Sequence, residues 1–105
     1  MGRARRIAAA ESRLIARRVI WTDEARVNLA AIRAYIGQFS PLAAQRIAAR
    51  LVDTAETLAE HPDRGRQVSK ERRELTVIRP YVIRYRTTAD NVFILRIRHG
   101  ARASG

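Results

Sequence analysis

The sequence predicts an α+β fold of β-α-α-β-β-β order, with a helical hairpin packed on one face of an antiparallel sheet. Two long segments with apolar residues at helical spacing come first, and segments that alternate between apolar and polar residues follow them. The length of 105 residues suits one domain with one hydrophobic core. Because an amphipathic hairpin needs a sheet to cover its apolar face, the two patterns together define the architecture.

The first strand and the first helix meet at Thr22. Val19–Trp21 is a short apolar run of strand-forming residues. Thr22 suits a helix N-cap, and the two acids after it, Asp23 and Glu24, suit the positive end of the helix dipole. We expect this helix to end near Gly37. Its apolar face consists of Ala25, Leu29, Ile32 and Ile36.

A second helix begins at Ser40 and Pro41, since serine is a good N-cap and proline is tolerated at the first helical position. We expect His61 and Pro62 to end it. The connection between the two helices is short, which predicts an antiparallel hairpin. The apolar face of the second helix consists of Ala44, Ile47, Ala48, Leu51, Ala55 and Leu58.

Three further strands are predicted in the C-terminal part of the chain. They are Glu74–Ile78, Tyr81–Arg86 and Val92–Arg98, and Thr87–Asn91 is the loop between the last two. Alternation along these strands separates a core face from an opposite face. The predicted core face carries Tyr81, Ile83, Tyr85, Phe93, Leu95 and Ile97. The opposite face carries Arg84, Arg86, Arg96 and Arg98.

The loop Thr87–Asn91 predicts a register in which Arg84 lies opposite Ile94, so that the arginines of the two strands are staggered.

The spacing of Trp21, Tyr35, Tyr81 and Tyr85 favours positions in the core or at its edge. Stacking of these aromatic rings on nucleic-acid bases is the alternative interpretation.

The composition excludes several kinds of chemistry. The chain has no cysteine and two histidines far apart in the sequence, which rules out disulfides, thiolate sites and a catalytic zinc held by three such ligands. We therefore expect no metal and no cofactor. No run of about 18 apolar residues is present, so we expect no membrane-spanning helix. A cysteine-free chain of this kind is compatible with a cytoplasmic location.

The positive charge is concentrated at the two ends of the chain. Residues 1–18 contain six arginines and one acid, residues 19–63 contain four arginines and six acids, and residues 64–105 contain eleven basic residues and three acids. The net charge of +11 predicts attraction to nucleic acid or to an acidic protein.

We expect the domain to comprise residues 19–105, preceded by a basic extension at residues 1–18. A start codon assigned too far upstream, a basic arm that binds nucleic acid, and an additional helix are alternative interpretations of this extension. A secretory signal is excluded, because Glu11, Ser12 and Arg13 would interrupt its apolar region.

Short motifs follow one another in a distinctive order over residues 19–102. They are Val19–Thr22, Leu29, Ile32, Tyr35 and Ile36, Pro41, Leu58 with Pro62, Gly65–Arg66, Arg73–Leu75, Tyr81–Arg86 and Arg96–Arg102. In this order the chain resembles the ParE/RelE superfamily of bacterial toxins, and more closely its ParE branch. The resemblance implies a RelE/ParE-like fold and a toxin of a type II toxin-antitoxin pair, a class associated with plasmid stabilization. It also implies a hetero-oligomer with a ParD-like antitoxin that has an acidic tail.

The two branches of the superfamily differ in their target, because ParE toxins poison DNA gyrase and RelE toxins cut messenger RNA on the ribosome. The RelE pattern has lysines on its second strand, an arginine directly after the tyrosine that opens the third strand, an arginine after the last strand, and a tyrosine near the C-terminus. Here Lys70 is the only lysine and lies in a predicted loop, Val82 follows Tyr81, and no tyrosine follows Tyr85. Arg102 alone matches the pattern.

The resemblance therefore favours a toxin that inhibits gyrase by binding and catalyses no reaction. One alternative is a metal-independent endoribonuclease that uses His99 and Arg102, although the strand position of His99 on the core side favours a structural role. The other alternative is a non-toxic module that binds the antitoxin.

A cluster of arginines is the predicted binding surface. Because their convergence without nearby acids would raise self-repulsion, we favour a binding role over a merely solvated surface. Antitoxin carboxylates, DNA held by gyrase and RNA are the alternative ligands. The cluster consists of Arg84, Arg86, Arg96, Arg98 and Arg102.

Overall fold

Two helices and five strands make up the fold in the computed structural model, which describes residues 16–100. The α+β class predicted from the sequence is confirmed. Residues 1–15 of the predicted extension and the C-terminal residues 101–105, which include Arg102, lie outside the described part. The elements are β1 (Arg18–Trp21), α1 (Asp23–Gly37), α2 (Pro41–Thr57), β2 (Arg66–Gln67), β3 (Arg72–Ile78), β4 (Tyr81–Thr87) and β5 (Asn91–His99).

The five strands form one sheet in the order β1-β5-β4-β3-β2. The pairs β3–β4 and β4–β5 are antiparallel, as predicted. The short strand β2, which was not predicted, pairs antiparallel with β3. β1 lies parallel to β5, so the sheet is mixed and the prediction of a wholly antiparallel sheet needs this correction. The two helices and the strands β2 to β4 separate β1 from β5 in the chain, and β5 then pairs with β1 in the parallel direction.

The two helices begin at the predicted caps. The Thr22 hydroxyl accepts a hydrogen bond from the backbone N–H of Ala25 at 3.1 Å and donates to the carbonyl of Ile94 at 2.8 Å. It therefore ties the start of α1 to the interior strand β5 as well as satisfying a free helix donor. The hydroxyl of Ser40 accepts from the backbone N–H of Ala43 at 3.1 Å and caps α2 in the same way.

The hydrophobic core lies between the helical hairpin and one face of the sheet. Tyr85 is fully buried there, and its hydroxyl donates to the carbonyl of Pro62 at 2.7 Å and accepts from the N–H of Gly65 at 2.8 Å. Burial raises the pKa of the Tyr85 hydroxyl above its ordinary value. A side chain at Gly65 would place its Cβ 2.7 Å from that hydroxyl oxygen. The loop before β2 is thus held on the core by a contact that only glycine permits.

The register between β4 and β5 differs from the predicted one because β5 contains a bulge at Leu95. Tyr85 lies opposite Ile94 and Arg84 lies opposite Arg96, with an irregularity between these pairs. The bulge inserts one extra residue into β5 and shifts the alternation before it. Val92 and Ile94 are consequently fully buried, and Phe93 and Leu95, which were expected in the core, are only partly buried. The two arginines face each other across the strands, so the predicted stagger is wrong.

The aromatic residues divide between core and surface. Tyr81 and Tyr85 are buried as predicted, and Trp21 packs against the core while its indole N–H donates to Glu56 at 3.3 Å. The prediction is wrong for Tyr35, which is 61% exposed near the end of α1. Its ring contacts Phe39 edge-on, with 5.4 Å between the ring centroids.

Candidate functional site

The open face of the sheet, on the side away from the helices, is rich in arginine. The register places the predicted residues Arg84, Arg86, Arg96 and Arg98 on this face. Arg66 and Arg72 belong to the same face, because Arg66 pairs with Glu74 and Arg72 with Arg86. The sequence analysis missed these two residues because β2 is very short and because β3 begins before its predicted start.

Glu74 lies at the centre of the open face and is buried, with 7% of its surface exposed. Its Oε2 accepts a hydrogen bond from Arg84 Nε at 2.8 Å, and its Oε1 accepts one from Arg98 Nη2 at 3.0 Å. Arg66 Nη2 lies farther away, 3.8 Å from Oε1. The expectation that no acid lies close to the arginines is therefore wrong. β3 thus supplies one carboxylate that holds the guanidinium groups of Arg84 on β4 and Arg98 on β5.

The electrostatics of Glu74 follow from these contacts. Burial alone would raise the pKa of its carboxyl group, but hydrogen bonds from Arg98 and Arg84 and their positive charges outweigh that effect. The pKa of Glu74 is therefore below its ordinary value, and the group stays ionised. Charge-assisted bonds of this kind are stronger than neutral ones, so they fix the directions of the two guanidinium planes.

The other arginines of the open face have more distant acidic neighbours. The guanidinium of Arg86 lies over the ring of Phe93, 4.5 Å from its centroid, and 3.8 Å from a carboxylate oxygen of Glu71. Arg96 Nε lies 3.8 Å from Glu24 and has no hydrogen-bond partner among the described residues. Glu71 and Glu24 are themselves exposed, so water screens both of these pairs. The open face thus keeps an excess of positive charge.

A cleft of about 660 Å³ lies beside the turn between β3 and β4. Arg66, Arg79 and Arg98 contribute positive charge to its wall, and Pro80 and Gly100 also line it. Arg98 Nη1 is buried and has no hydrogen-bond partner in the described part of the chain. Three guanidinium groups and the carboxylate of Glu74 thus line the cleft, and one nitrogen of Arg98 is a buried donor without a partner among residues 16–100.

His99 is oriented away from the arginine cluster. It lies opposite Tyr81 across the strands, with the two rings edge-on and 5.7 Å between their centroids. It lines a second cleft of about 290 Å³, on the helix side of the sheet, together with Ile32 and Tyr35 of α1. The imidazole and the open-face arginines thus belong to opposite faces of the sheet. Within residues 16–100, no group of three or more His, Asp or Glu side chains is arranged to hold a metal ion.

Exposed apolar side chains cluster at the tip of the helical hairpin. We call Tyr35, Phe39 and Leu42, which are 61%, 73% and 54% exposed, the tip cluster. A third cleft, of about 390 Å³, runs between α2 and the end of β3 and is lined by Leu42, Ile47 and Ile78 with the arginines of α2. Isolated exposed apolar residues are normal, but three at one tip are typical of a contact surface.

The described helices include none that is long and apolar enough to cross a bilayer.

Solved structures with the same fold belong to toxin-antitoxin systems. The chain is similar to a structure titled as the chromosomal ParDE toxin-antitoxin system from P. aeruginosa, with a TM-score of 0.70, 24% identity, and coverage of 84% of this chain and 98% of the other. It is also similar to a structure of the toxin-antitoxin complex RelBE2 from Mycobacterium tuberculosis, with a TM-score of 0.60, 25% identity, and coverage of 82% and 93%.

The family model for the ParE toxin of the type II toxin-antitoxin system parDE matches residues 19–104, and the chain belongs to this family. It is 58% identical to Toxin RelE2 of Caulobacter vibrioides over 84 residues, which are 80% of this chain and 96% of the relative. It is 41% identical to Toxin RelE3 of the same organism, over 71% of this chain and 85% of the relative. The resemblance to the ParE/RelE superfamily is confirmed, and the protein is a type II toxin.

Proposed function

We propose that this toxin inhibits DNA gyrase by binding and catalyses no reaction of its own. The observation that carries the proposal is the composition of the open face. Its charged groups are guanidinium groups arranged around Glu74, and both oxygens of that carboxylate already accept hydrogen bonds. Such a surface recognises anionic groups strongly and has no free group to move a proton.

Cleavage of RNA without a metal has different requirements. The 2′-hydroxyl must lose a proton, the leaving 5′-oxygen must gain one, and the phosphate charge must be stabilised. Guanidinium groups stabilise charge but keep their protons at physiological pH. His99 faces α1 and Tyr81, away from the arginines that would hold the phosphate. This separation supports the binding mechanism.

Ribosome-dependent cleavage of messenger RNA is the second candidate function, and the RelE names of two relatives, at 58% and 41% identity, favour it. His99 and Arg102 would be its residues. The two candidates differ in the molecule that the toxin attacks: DNA gyrase, with loss of supercoiling, in one case, and messenger RNA in the other.

We further propose that a cognate antitoxin neutralises the toxin by covering both sides of the domain. The tip cluster and the cleft between α2 and β3 offer apolar surface for an amphipathic helix, flanked by Arg46 and Arg50. The arginines of the open face would meet acidic residues of the antitoxin tail. A toxin that binds an antitoxin and DNA gyrase would act in the cytoplasm, and we propose that location for this protein.

The direct test of the gyrase mechanism is induction of the toxin without its antitoxin, with plasmid supercoiling, the DNA-damage response and messenger RNA ends followed in parallel. Loss of supercoiling with intact messenger RNA is the expected result. Rapid cutting of messenger RNA with normal supercoiling would overturn the gyrase proposal. Normal growth with normal levels of folded protein would leave only the antitoxin-binding module.

Charge reversal must avoid the residues that contact Glu74. A glutamate at position 84 or 98 would place a second carboxylate beside the buried one and destabilise the fold. The double variant Arg86→Glu with Arg96→Glu is therefore the better choice, because neither residue bonds to Glu74. We expect it to abolish inhibition of purified gyrase. The control is Arg26→Glu with Arg33→Glu on the exposed side of α1, which carries the same change in charge.

A further inference from the structure

We infer that Arg17 and the first residue of β1, Arg18, form a strap that joins the end of α2 to the loop between β4 and β5. The stability of the domain then depends on residues upstream of Val19. The strap lies directly before the segment that the family model matches, which begins at residue 19. The inference concerns the fold of this chain, so it is independent of which target the toxin has.

The first argument is the set of hydrogen bonds that the two residues make. The backbone N–H of Arg17 donates to the carbonyl of Ala59 at 2.8 Å, and the backbone N–H of Arg18 donates to the carbonyl of Asp90 at 2.9 Å. The side chain adds a third bond, because Arg17 Nε donates to the carbonyl of Thr88 at 2.8 Å, 71 residues away in the chain. Two successive residues therefore connect two segments that are distant in the sequence.

The second argument is that these carbonyls lie where secondary structure ends. α2 ends at Thr57, and carbonyls at and beyond the end of a helix have no helical N–H to accept from. The N–H of Arg17 satisfies the one at Ala59. In the loop between β4 and β5, two of the three residues offer their carbonyls to the strap, and these are Thr88 and Asp90. The strap thus replaces bonds that neither element can make for itself.

The third argument is what the loop holds in place. Next to the loop, β4 and β5 pair Thr87 with Val92 and Arg86 with Phe93. Val92 is fully buried in the core, and the guanidinium of Arg86 lies over the ring of Phe93 on the open face. Two bonds from the strap to the loop therefore steady the end of the hairpin that carries both of these contacts.

The two residues contribute to the strap in different ways, and this difference provides a matched pair of variants. Arg17 is partly buried and bonds through its side chain as well as its backbone, whereas Arg18 is exposed and bonds through its backbone N–H. Alanine keeps a backbone N–H at either position. Arg17→Ala therefore removes one of the three bonds and Arg18→Ala removes none, although both lose one positive charge.

The strap also gives the start of the chain a physical consequence. A chain that begins at Val19 contains no strap, whereas a chain that begins at Ala16 contains all of it. The direct test is thermal unfolding of these two shortened proteins, each with an initiator methionine, beside the full-length toxin. We expect the chain that begins at Val19 to unfold at least about 10 °C below the chain that begins at Ala16, because it lacks three hydrogen bonds.

Point variants of the full-length toxin test the same bonds without shortening the chain. Arg17→Ala should lower the melting temperature by about 4–8 °C, which corresponds to the loss of one hydrogen bond from a charged donor. Arg18→Ala should lower it by about 2 °C or less. These variants keep the inference testable if the chain that begins at Val19 does not fold.

Hydrogen exchange separates a loosened loop from a general loss of stability. The N–H of Thr88 donates to the carbonyl of Asn91 within the loop, and the N–H of Val68 donates to the carbonyl of Arg72 beside β3, at the other side of the sheet. In Arg17→Ala we expect the Thr88 amide to exchange at least about fivefold faster and the Val68 amide to change by about twofold or less.

Three results would overturn the inference. Equal melting temperatures of the two shortened chains would mean that residues 16–18 add nothing to the fold. Equal effects of Arg17→Ala and Arg18→Ala would remove the role of the guanidinium bond. Equally faster exchange at Thr88 and Val68 would show that the loop is not held by the strap. Because none of these measurements involves gyrase or RNA, a failed strap leaves the proposed function intact, and a failed gyrase test leaves the strap intact.

Discussion

Replacement of Glu74 by glutamine tests whether the buried carboxylate organises the open face. Glu74→Gln keeps the shape of the side chain but leaves Arg84 and Arg98 without their counter-charge. Removing one partner of a buried ion pair costs about 3–5 kcal/mol. Here Arg84 and Arg98 are 32% and 21% exposed, so water hydrates them in part. We therefore expect a loss of about 2–3 kcal/mol in the free energy of unfolding.

The assay is thermal unfolding followed by circular dichroism at neutral pH. For a domain of this size the loss corresponds to a melting temperature lower by roughly 10–20 °C. The control is Glu71→Gln, because Glu71 is 58% exposed and lies 3.8 Å from Arg86. It should change the free energy of unfolding by about 0.5 kcal/mol or less. A Glu74→Gln protein as stable as the control would refute the central role of this carboxylate.

The remaining predictions concern pH, packing and the antitoxin. Because the folded-state pKa of Glu74 is lowered, its stabilising contribution is complete above the ordinary value of 4.5 and is lost as the pH falls through the folded value. Acid titration of the unfolding free energy should show this loss, and Glu74→Gln should flatten the curve. Gly65→Ala should destabilise the fold by about 1–3 kcal/mol, because its Cβ would overlap a buried hydroxyl. Gly37→Ala is the control: its Cβ would have no contact closer than 3.9 Å, and chemical denaturation should find it equal to the parent or more stable. Phe39→Asp should weaken antitoxin binding about tenfold or more in calorimetry, whereas Val27→Asp, equally exposed but away from the tip, should not.

Local signals in the sequence predicted the helices and their starts. Thr22 and Ser40 act as the expected caps because an N-cap interaction involves only the next few residues. The direction of β1 was not predictable in this way. Its apolar pattern is the same whether the neighbouring strand is parallel or antiparallel, and the choice depends on where the chain returns after the hairpin.

The bulge in β5 shows a second limit of predicting this fold from the sequence pattern. Val92 and Ile94 compete with Phe93 and Leu95 for the core face, because four apolar residues in succession leave the alternation ambiguous. The helices decide between them by packing on Val92 and Ile94. The sequence pattern alone therefore does not tell which of these apolar residues face the core, because that depends on the surface that packs against the strand.

The sequence predicted four of the open-face arginines but missed Arg66, Arg72 and the carboxylate of Glu74. Arg84 and Arg98 were identified from strand alternation, but Glu74 was assigned only to a strand. Glutamate is rarely buried, so composition gives no reason to place it among arginines. A regular hairpin with Ile78 opposite Tyr81 would have placed Glu74 opposite Tyr85, on the core face. Glu74 lies opposite Arg84 only because the register shifts between Thr76 and Ile78, and the sequence pattern gives no sign of that shift.

The position of β5 also has a consequence for how the toxin is made. Among the described strands, β5 comes last in the chain and lies between β1 and β4, so the sheet is divided until β5 is synthesised. It also carries Arg96 and Arg98, without which the open face lacks much of its charge and Glu74 lacks a partner. A chain that stalls before this strand therefore has neither a closed sheet nor a finished binding surface. The harmful form of the protein therefore cannot exist before β5 has been synthesised, and only from that moment must an antitoxin be present.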